Sequence, residues 1–177
     1  MYTCSMHLMI DLETLATSPN AAILTIGACK FDPKAQDIHS QFYERIQLES
    51  QEGYGRIINE DTLKWWGQQD PKIQEDAFGE GDDRIDLKDA MKKLYTFGLG
   101  TTNVWSHGSI FDVVIIEDVC RSFQQAVTWK FWEVRDTRTL FDLANVDVRI
   151  EGKHNALTDA LAQAQAVQKA YKILSVK

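Results

Sequence analysis

Two carboxylates one residue apart, Asp11 and Glu13, end an apolar run in the stretch MIDLET. Residues i and i+2 of a β-strand project from one face, so these acids converge at the strand end while Met6, Leu8 and Ile10 face a core layer on the other side. Paired carboxylates are hard oxygen ligands of the kind that Mg²⁺ and Mn²⁺ take. An isolated D-x-E is also what an exposed acidic strand end looks like, so the pair needs company.

Two further segments supply it. Asp112 stands in the strongly apolar run SIFDVVIIEDV, where an unpaired charge is costly unless it binds a metal, pairs with a base or shifts its pKa. A second reading stays open, that of an acid favourably placed in the first turn of a helix with Ser109 as N-cap. In HNALTD, His154 precedes the last helix and Asp159 falls on its first turns between Ala156 and Ala160, small residues that let this backbone approach a sheet.

The elements that must position these groups follow from periodicity. Residues 5–11, 21–31 and 38–47 have strand character and predict an antiparallel meander, followed by short strands at 102–106 and 129–133. Helical spacing predicts a helix capped by Asn59, another opened by Pro71, and helices over 86–97, 109–125, 136–144 and 155–173. Strands first and then alternating elements imply an α/β domain with a mixed five-stranded sheet. With 177 residues, 44% hydrophobic content and no internal repeat, one domain over residues 1–177 is expected.

The net charge of −7 excludes a broad basic surface for nucleic acid, but bound divalent ions would reverse the local field at a cluster of acids. No 18-residue apolar run and no secretory signal pattern occur, which leads to the expectation of a cytoplasmic protein, in a bacterial or phage-infected cell. Cys4, Cys29 and Cys120 are odd in number and in apolar contexts, and are expected as free thiols.

Taken together, the motifs resemble those of the DEDDh 3′→5′ exonucleases of the RNase H-like fold. Asp11-Leu12-Glu13-Thr14 is similar to the first motif, Phe111-Asp112 to the second, and His154 to Asp159 to the third, H-x4-D. TLKWWGQQDP at 62–71 and KFWEVRDTRTL at 130–140 resemble segments of phage DexA-type exonucleases and of a related bacterial 3′→5′ exoribonuclease group. WSHGSIFD departs from the commoner HN-type approach to the second motif by placing His107 and Gly108 there.

The resemblance implies a metal-dependent exonuclease that releases nucleoside 5′-monophosphates from the 3′ end of single-stranded DNA or RNA. It assigns Asp11, Glu13, Asp112 and Asp159 to two divalent cations, Mg²⁺ or Mn²⁺, and His154 to general-base duty, for which a pKa of about 6.5 suits an imidazole. Leu12, Thr14, Leu15, Trp66 and Phe111 are the expected substrate neighbours, and a homodimer is expected from similar exonucleases. Trp65 and Trp66 are adjacent on a helix, so one belongs to the core and the other can border the terminal nucleotide by stacking. Arg135 and Arg138 flank Asp136 as cations for phosphate or as a surface salt-bridged turn. Two rival readings are a catalytically silent RNase H-like binding module, which would ordinarily have lost an acid, and a polymerase-associated proofreading subunit.

Overall fold

The computed structural model describes residues 5–79, 81, 83–147 and 154–176. Six strands form one sheet: β1 (His7–Thr14), β2 (Ile23–Phe31), β3 (Ile38–Ile46), β4 (Arg84–Ile85), β5 (Asn103–Ser106) and β6 (Val134–Asp136), in the order β4-β3-β2-β1-β5-β6. The first three make the expected antiparallel meander, with β4, β5 and β6 each joining parallel to a neighbour. The fold is the expected mixed α/β sheet flanked by helices, with six strands where five were expected. The additional strand, β4, has only two residues, too few for any alternation to register.

The strand expected at 129–133 lies slightly later in the chain. The backbone N–H of Lys130 donates to Glu133 Oε2 at 2.7 Å, closing a single 3₁₀ turn over Phe131–Glu133, and pairing with β5 begins only at Val134. The aromatic run that suggested a strand instead puts Phe131 and Trp132 into solvent.

Six α-helices lie among the described residues: α1 (Glu60–Trp66), α2 (Pro71–Phe78), α3 (Leu87–Gly98), α4 (Asp112–Ser122), α5 (Thr137–Ala144) and α6 (Ala156–Ile173). Asn59, Asp70, Asp86, Asp136 and Asn155 accept backbone N–H groups at the starts of α1, α2, α3, α5 and α6, the orphan donors that short polar side chains satisfy. Among the described residues no helix is long and apolar enough to cross a membrane. Cys29 and Cys120 are buried free thiols, while Cys4 lies outside the described residues.

The central strand β1 is buried on both sides. Leu8, Ile10 and Leu12 pack with α3 and α4 residues such as Met91 and Ile115, whereas Met9 joins the layer formed with Ala160, Ala164 and Val167 of α6. The odd-numbered residues of β1 therefore face α6, which is where alternation puts Asp11 and Glu13.

Close approach of α6 depends on Gly27 of β2, the register partner of Asp11. A Cβ there would lie 2.1 Å from the carbonyl carbon of Ala156. The absence of that one atom lets the start of α6 rest directly on the sheet beside the acids of β1. The β1–β2 register also shifts between Glu13 and Thr14, an irregularity that re-aims side chains at a strand end.

Candidate active site

Asp11 and Glu13 project from β1 toward the first turns of α6. Gln163 Nε2 donates to Asp11 Oδ1 at 2.8 Å and so fixes the orientation of that carboxylate. Asp159 sits one helical turn before Gln163 on the same face of α6, as i, i+4 spacing requires. Ligand atoms of Glu13, His154 and Asp159 all lie within 4.8 Å of one another.

Asp112 reaches the same place from the opposite side of the sheet. It is the first residue of α4, only 3% exposed, and its Oδ1 accepts the backbone N–H of Leu12 at 3.0 Å. That bond joins α4 to the middle of the D-x-E motif. Ser109 does not cap α4: Phe111 occupies the N-cap position without a side-chain bond, and the Ser109 N–H donates instead to Asp136 Oδ2 at 2.6 Å.

His154 precedes α6 with a positive φ of 74°. Its backbone N–H donates to Asp159 Oδ2 at 3.0 Å, and its ring meets Trp65 edge-on with centroids 4.8 Å apart. Behind this turn, Asn155 Oδ1 caps α6 at Thr158 while its Nδ2 donates to Asp76 Oδ2 of α2 at 2.5 Å. The His154 turn is thus held from the helix it precedes and from a neighbouring helix.

All five residues line one cavity of about 750 Å³, together with Leu12 and Phe111. Thr14, Leu15 and Trp66 do not line it. Thr14 Oγ1 donates to Ala16 O, Leu15 is 1% exposed in a satellite core under α1 and α2, and Trp66 is 2% exposed with Nε1 donating to Thr14 O. The three positions expected as substrate neighbours thus stand outside the cavity wall, in the packing behind it. They support the D-x-E strand from behind, and Trp65, 40% exposed, is the outward member of the tryptophan pair.

The cavity also contains groups that sequence motifs did not single out for the site: Gln163, His107, Asp142, Asn145, Val146 and Asp147. Of these, His107 was marked by its place ahead of the second motif, and Gln163 left a readable signal in its helical spacing from Asp159. Arg135 and Arg138 separate, since Arg135 turns to the carbonyls of Trp132 and Val134 while Arg138 lines the cavity.

The electrostatics are those of acids held together out of water. Burial first, then Asp112 and Glu13, push the Asp11 carboxyl well above its ordinary range, against the hydrogen bond from Gln163. Burial and the charges of Asp159, Asp112 and Asp76 push Glu13 up to about 8. Burial pushes Asp112 up to about 7, against the pull of the Leu12 N–H, its own N–H and the Ser106 hydroxyl and the smaller pull of the Arg138 charge. Carboxylates and an imidazole are the donor set of a hard divalent cation, whose charge would offset the penalties that raise these pKa values.

Residues 6–171 match the family model described as the 3′-5′ exoribonuclease Rv2179c-like domain. The chain is 25% identical over 159 residues to an exodeoxyribonuclease of Enterobacteria phage T4, covering 74% of this chain and 68% of that protein. Its fold is similar to the nuclease domain of 3′hExo, a DEDDh family member bound to rAMP, with a TM-score of 0.60, 14% identity, and coverage of 97% of this chain and 94% of that one. E. coli exonuclease I in complex with a dT13 oligonucleotide gives a TM-score of 0.68 at 12% identity, covering 97% of this chain and 42% of that one. The homodimer expected from the resemblance has no support among these relatives. The chain belongs to the Rv2179c-like 3′-5′ exoribonuclease domain family and is a 3′-5′ exonuclease.

Proposed function

We propose that the protein removes nucleotides from the 3′ end of a single strand of DNA or RNA by metal-dependent hydrolysis, releasing nucleoside 5′-monophosphates. The observation that carries this reading is the convergence of Asp11, Glu13, Asp112, Asp159 and His154 on one cavity. Two divalent ions, Mg²⁺ or Mn²⁺, would be held by the four carboxylates, and when bound they supply the charge that acidifies the attacking water and stabilises the departing 3′ oxygen.

His154 accepts the proton of that water. Its imidazole is suited to proton transfer near neutral pH, and its backbone tie to Asp159 keeps it at the rim of the acid cluster. Gln163 and the Leu12 N–H orient Asp11 and Asp112, so each carboxylate keeps a fixed direction. Leu12 and Phe111, the apolar members of the motif pair in the cavity wall, contact the sugar or base of the terminal nucleotide, while Trp65 restrains the His154 ring.

The test is digestion of 5′-labelled single-stranded DNA and RNA of one sequence with Mg²⁺, with Mn²⁺ and with EDTA. A ladder shortening one nucleotide at a time from the 3′ end, with 5′-monophosphates as product, is expected in either metal and not in EDTA. Asp11→Asn and Asp159→Asn should abolish it while leaving circular dichroism unchanged. Turnover in EDTA, or near-normal rates in either variant, would overturn the ligand assignment.

A further inference from the structure

Arg138 is a cation in the wall of an otherwise acidic cavity. Asp11, Glu13, Asp112, Asp142, Asp147 and Asp159 line the same space, yet among the described residues no carboxylate forms an ion pair with its guanidinium. Its charge is felt at Asp112 only as a minor influence. An arginine fork that local carboxylates do not take up can serve an anion arriving from outside.

The local structure holds Arg138 in this position. It is the second residue of α5, and its backbone N–H is tied to the N-cap Asp136 at 2.9 Å. The other oxygen of Asp136 accepts the Ser109 N–H, and His107 Nδ1 bonds Thr137 Oγ1 at 2.9 Å, so the His107–Ser109 turn is tied to the start of α5. Gly108 lies between them with φ of 105°, and a Cβ there would sit 3.3 Å from Arg138 Cζ. The His107–Ser109 turn is thus shaped around this guanidinium.

Arg138 also borders a second, shallower depression with Thr139, Asp142 and Leu143 on the outer face of α5. It therefore stands where the acid-lined cavity opens onto the surface. A strand whose 3′-terminal nucleotide occupies the cavity must leave it, and its next phosphodiester is the anion nearest the exit.

We infer that Arg138 is a phosphate-binding residue that grips the phosphate on the 5′ side of the penultimate nucleotide, one link upstream of the scissile bond. This rests on the exonuclease reading above. It makes the fork between α5 and the His107–Ser109 turn a subsite that measures whether a strand continues beyond the nucleotide being removed.

A pair of dinucleotides isolates the contact, since pTpT carries the upstream phosphate and TpT lacks it, with pApA and ApA as the ribose pair. The wild-type protein should prefer the phosphorylated member by about tenfold in kcat/KM. Arg138→Gln should collapse that ratio toward one, and Arg138→Lys should restore part of it, because an ammonium supplies charge without the fork. Arg138 is exposed, so the thermal midpoint should not move.

Binding of a fluorescein-labelled decathymidylate and its ribose counterpart in Ca²⁺, read by anisotropy against salt, tests the same contact independently of turnover. Losing one phosphate contact should make the slope of log affinity against log salt shallower by about 0.7. Failure of the wild type to shorten either decanucleotide in Mg²⁺ or Mn²⁺ would sink the exonuclease reading, and failure on the dinucleotides alone leaves the salt slope to decide the contact. An Arg138→Gln variant with unchanged dinucleotide preference, an equal loss on both members, or an unchanged salt slope would overturn the phosphate assignment.

Discussion

Replacing Glu13 by glutamine should stabilise the metal-free protein while destroying its activity. Glu13 is 7% exposed, and its carboxyl is pushed from an ordinary 4.5 up to about 8 by burial and by the charges of Asp159, Asp112 and Asp76. A raised folded pKa is a stability term fully present below pH 4.5 and lost as pH rises through 8. At about 1.4 kcal/mol per unit, the loss is about 3 kcal/mol at pH 7 and about 5 kcal/mol above pH 8. Glutamine keeps the shape and never ionises, so this loss should vanish. The assay is urea unfolding of wild type and Glu13→Gln in EDTA at pH 4.5, 7 and 8.5. The variant's advantage should grow with pH, reaching a few kcal/mol at pH 8.5. Saturating Mn²⁺ should then stabilise the wild type more than the variant, because a cation relieves the same repulsion. A gap that does not change with pH, or a wild type that is the more stable at pH 8.5 in EDTA, would refute the picture of compressed acids awaiting positive charge.

Other perturbations read other parts of the structure. His154→Ala should lower kcat by about 10²- to 10⁴-fold, the usual worth of a positioned general base, with Mn²⁺ affinity by calorimetry little changed; a loss of a few-fold would remove His154 from proton transfer. Gly27→Ala puts a methyl 2.1 Å from the Ala156 backbone, so the start of α6 must lift, costing on the order of 3 kcal/mol or more in urea unfolding and removing metal-dependent activity with it; a stable, active variant would contradict the packing. His7 is 4% exposed, takes a hydrogen bond from Trp105 Nε1 at 2.9 Å on Nδ1, and is lowered by burial from 6.5 to about 4. Its depressed pKa makes the neutral form's stability fully present above pH 6.5 and lost as pH falls through 4, about 3 kcal/mol in all; His7→Gln should lack that acid-side loss, and an identical pH slope in both proteins would show that His7 titrates normally.

These effects bear on how much the sequence discloses. The four acids and His154 that the structure brings to one cavity could be picked out as candidates because each sits beside a local signal, a strand end, an apolar helix start or a pair of alanines. The meander and all six helices were legible for the same reason, since each carries its own period and most carry a cap. What escaped were relations between distant segments. Trp66 and Trp65 are equivalent in sequence, and only the packing of α1 against β1 decides that Trp66 donates to Thr14 while Trp65 meets His154. Gln163 looks like any polar residue of an Ala-rich helix until Asp11 is seen at 2.8 Å. β4 is too short to have a period, and the Phe131–Glu133 turn carries strand-like residues for a non-strand purpose.

The same distinction explains why the site is built where it is. Each acid alone would pay for burial, and Asp11, Glu13 and Asp112 all show that penalty in their raised pKa values. The fold tolerates it because neutral donors anchor two of the acids, Gln163 to Asp11 and the Leu12 N–H to Asp112, and among the described residues no arginine or lysine forms an ion pair with Asp11, Glu13 or Asp112. A cationic partner would have stabilised the empty site and competed with the divalent ions of the proposed reaction. The cation at hand, Arg138, stands aside at the cavity exit, its guanidinium accommodated by Gly108. On the proposed reading, positive charge inside the cluster is thereby left for metal to supply, and positive charge at its mouth is left for the strand.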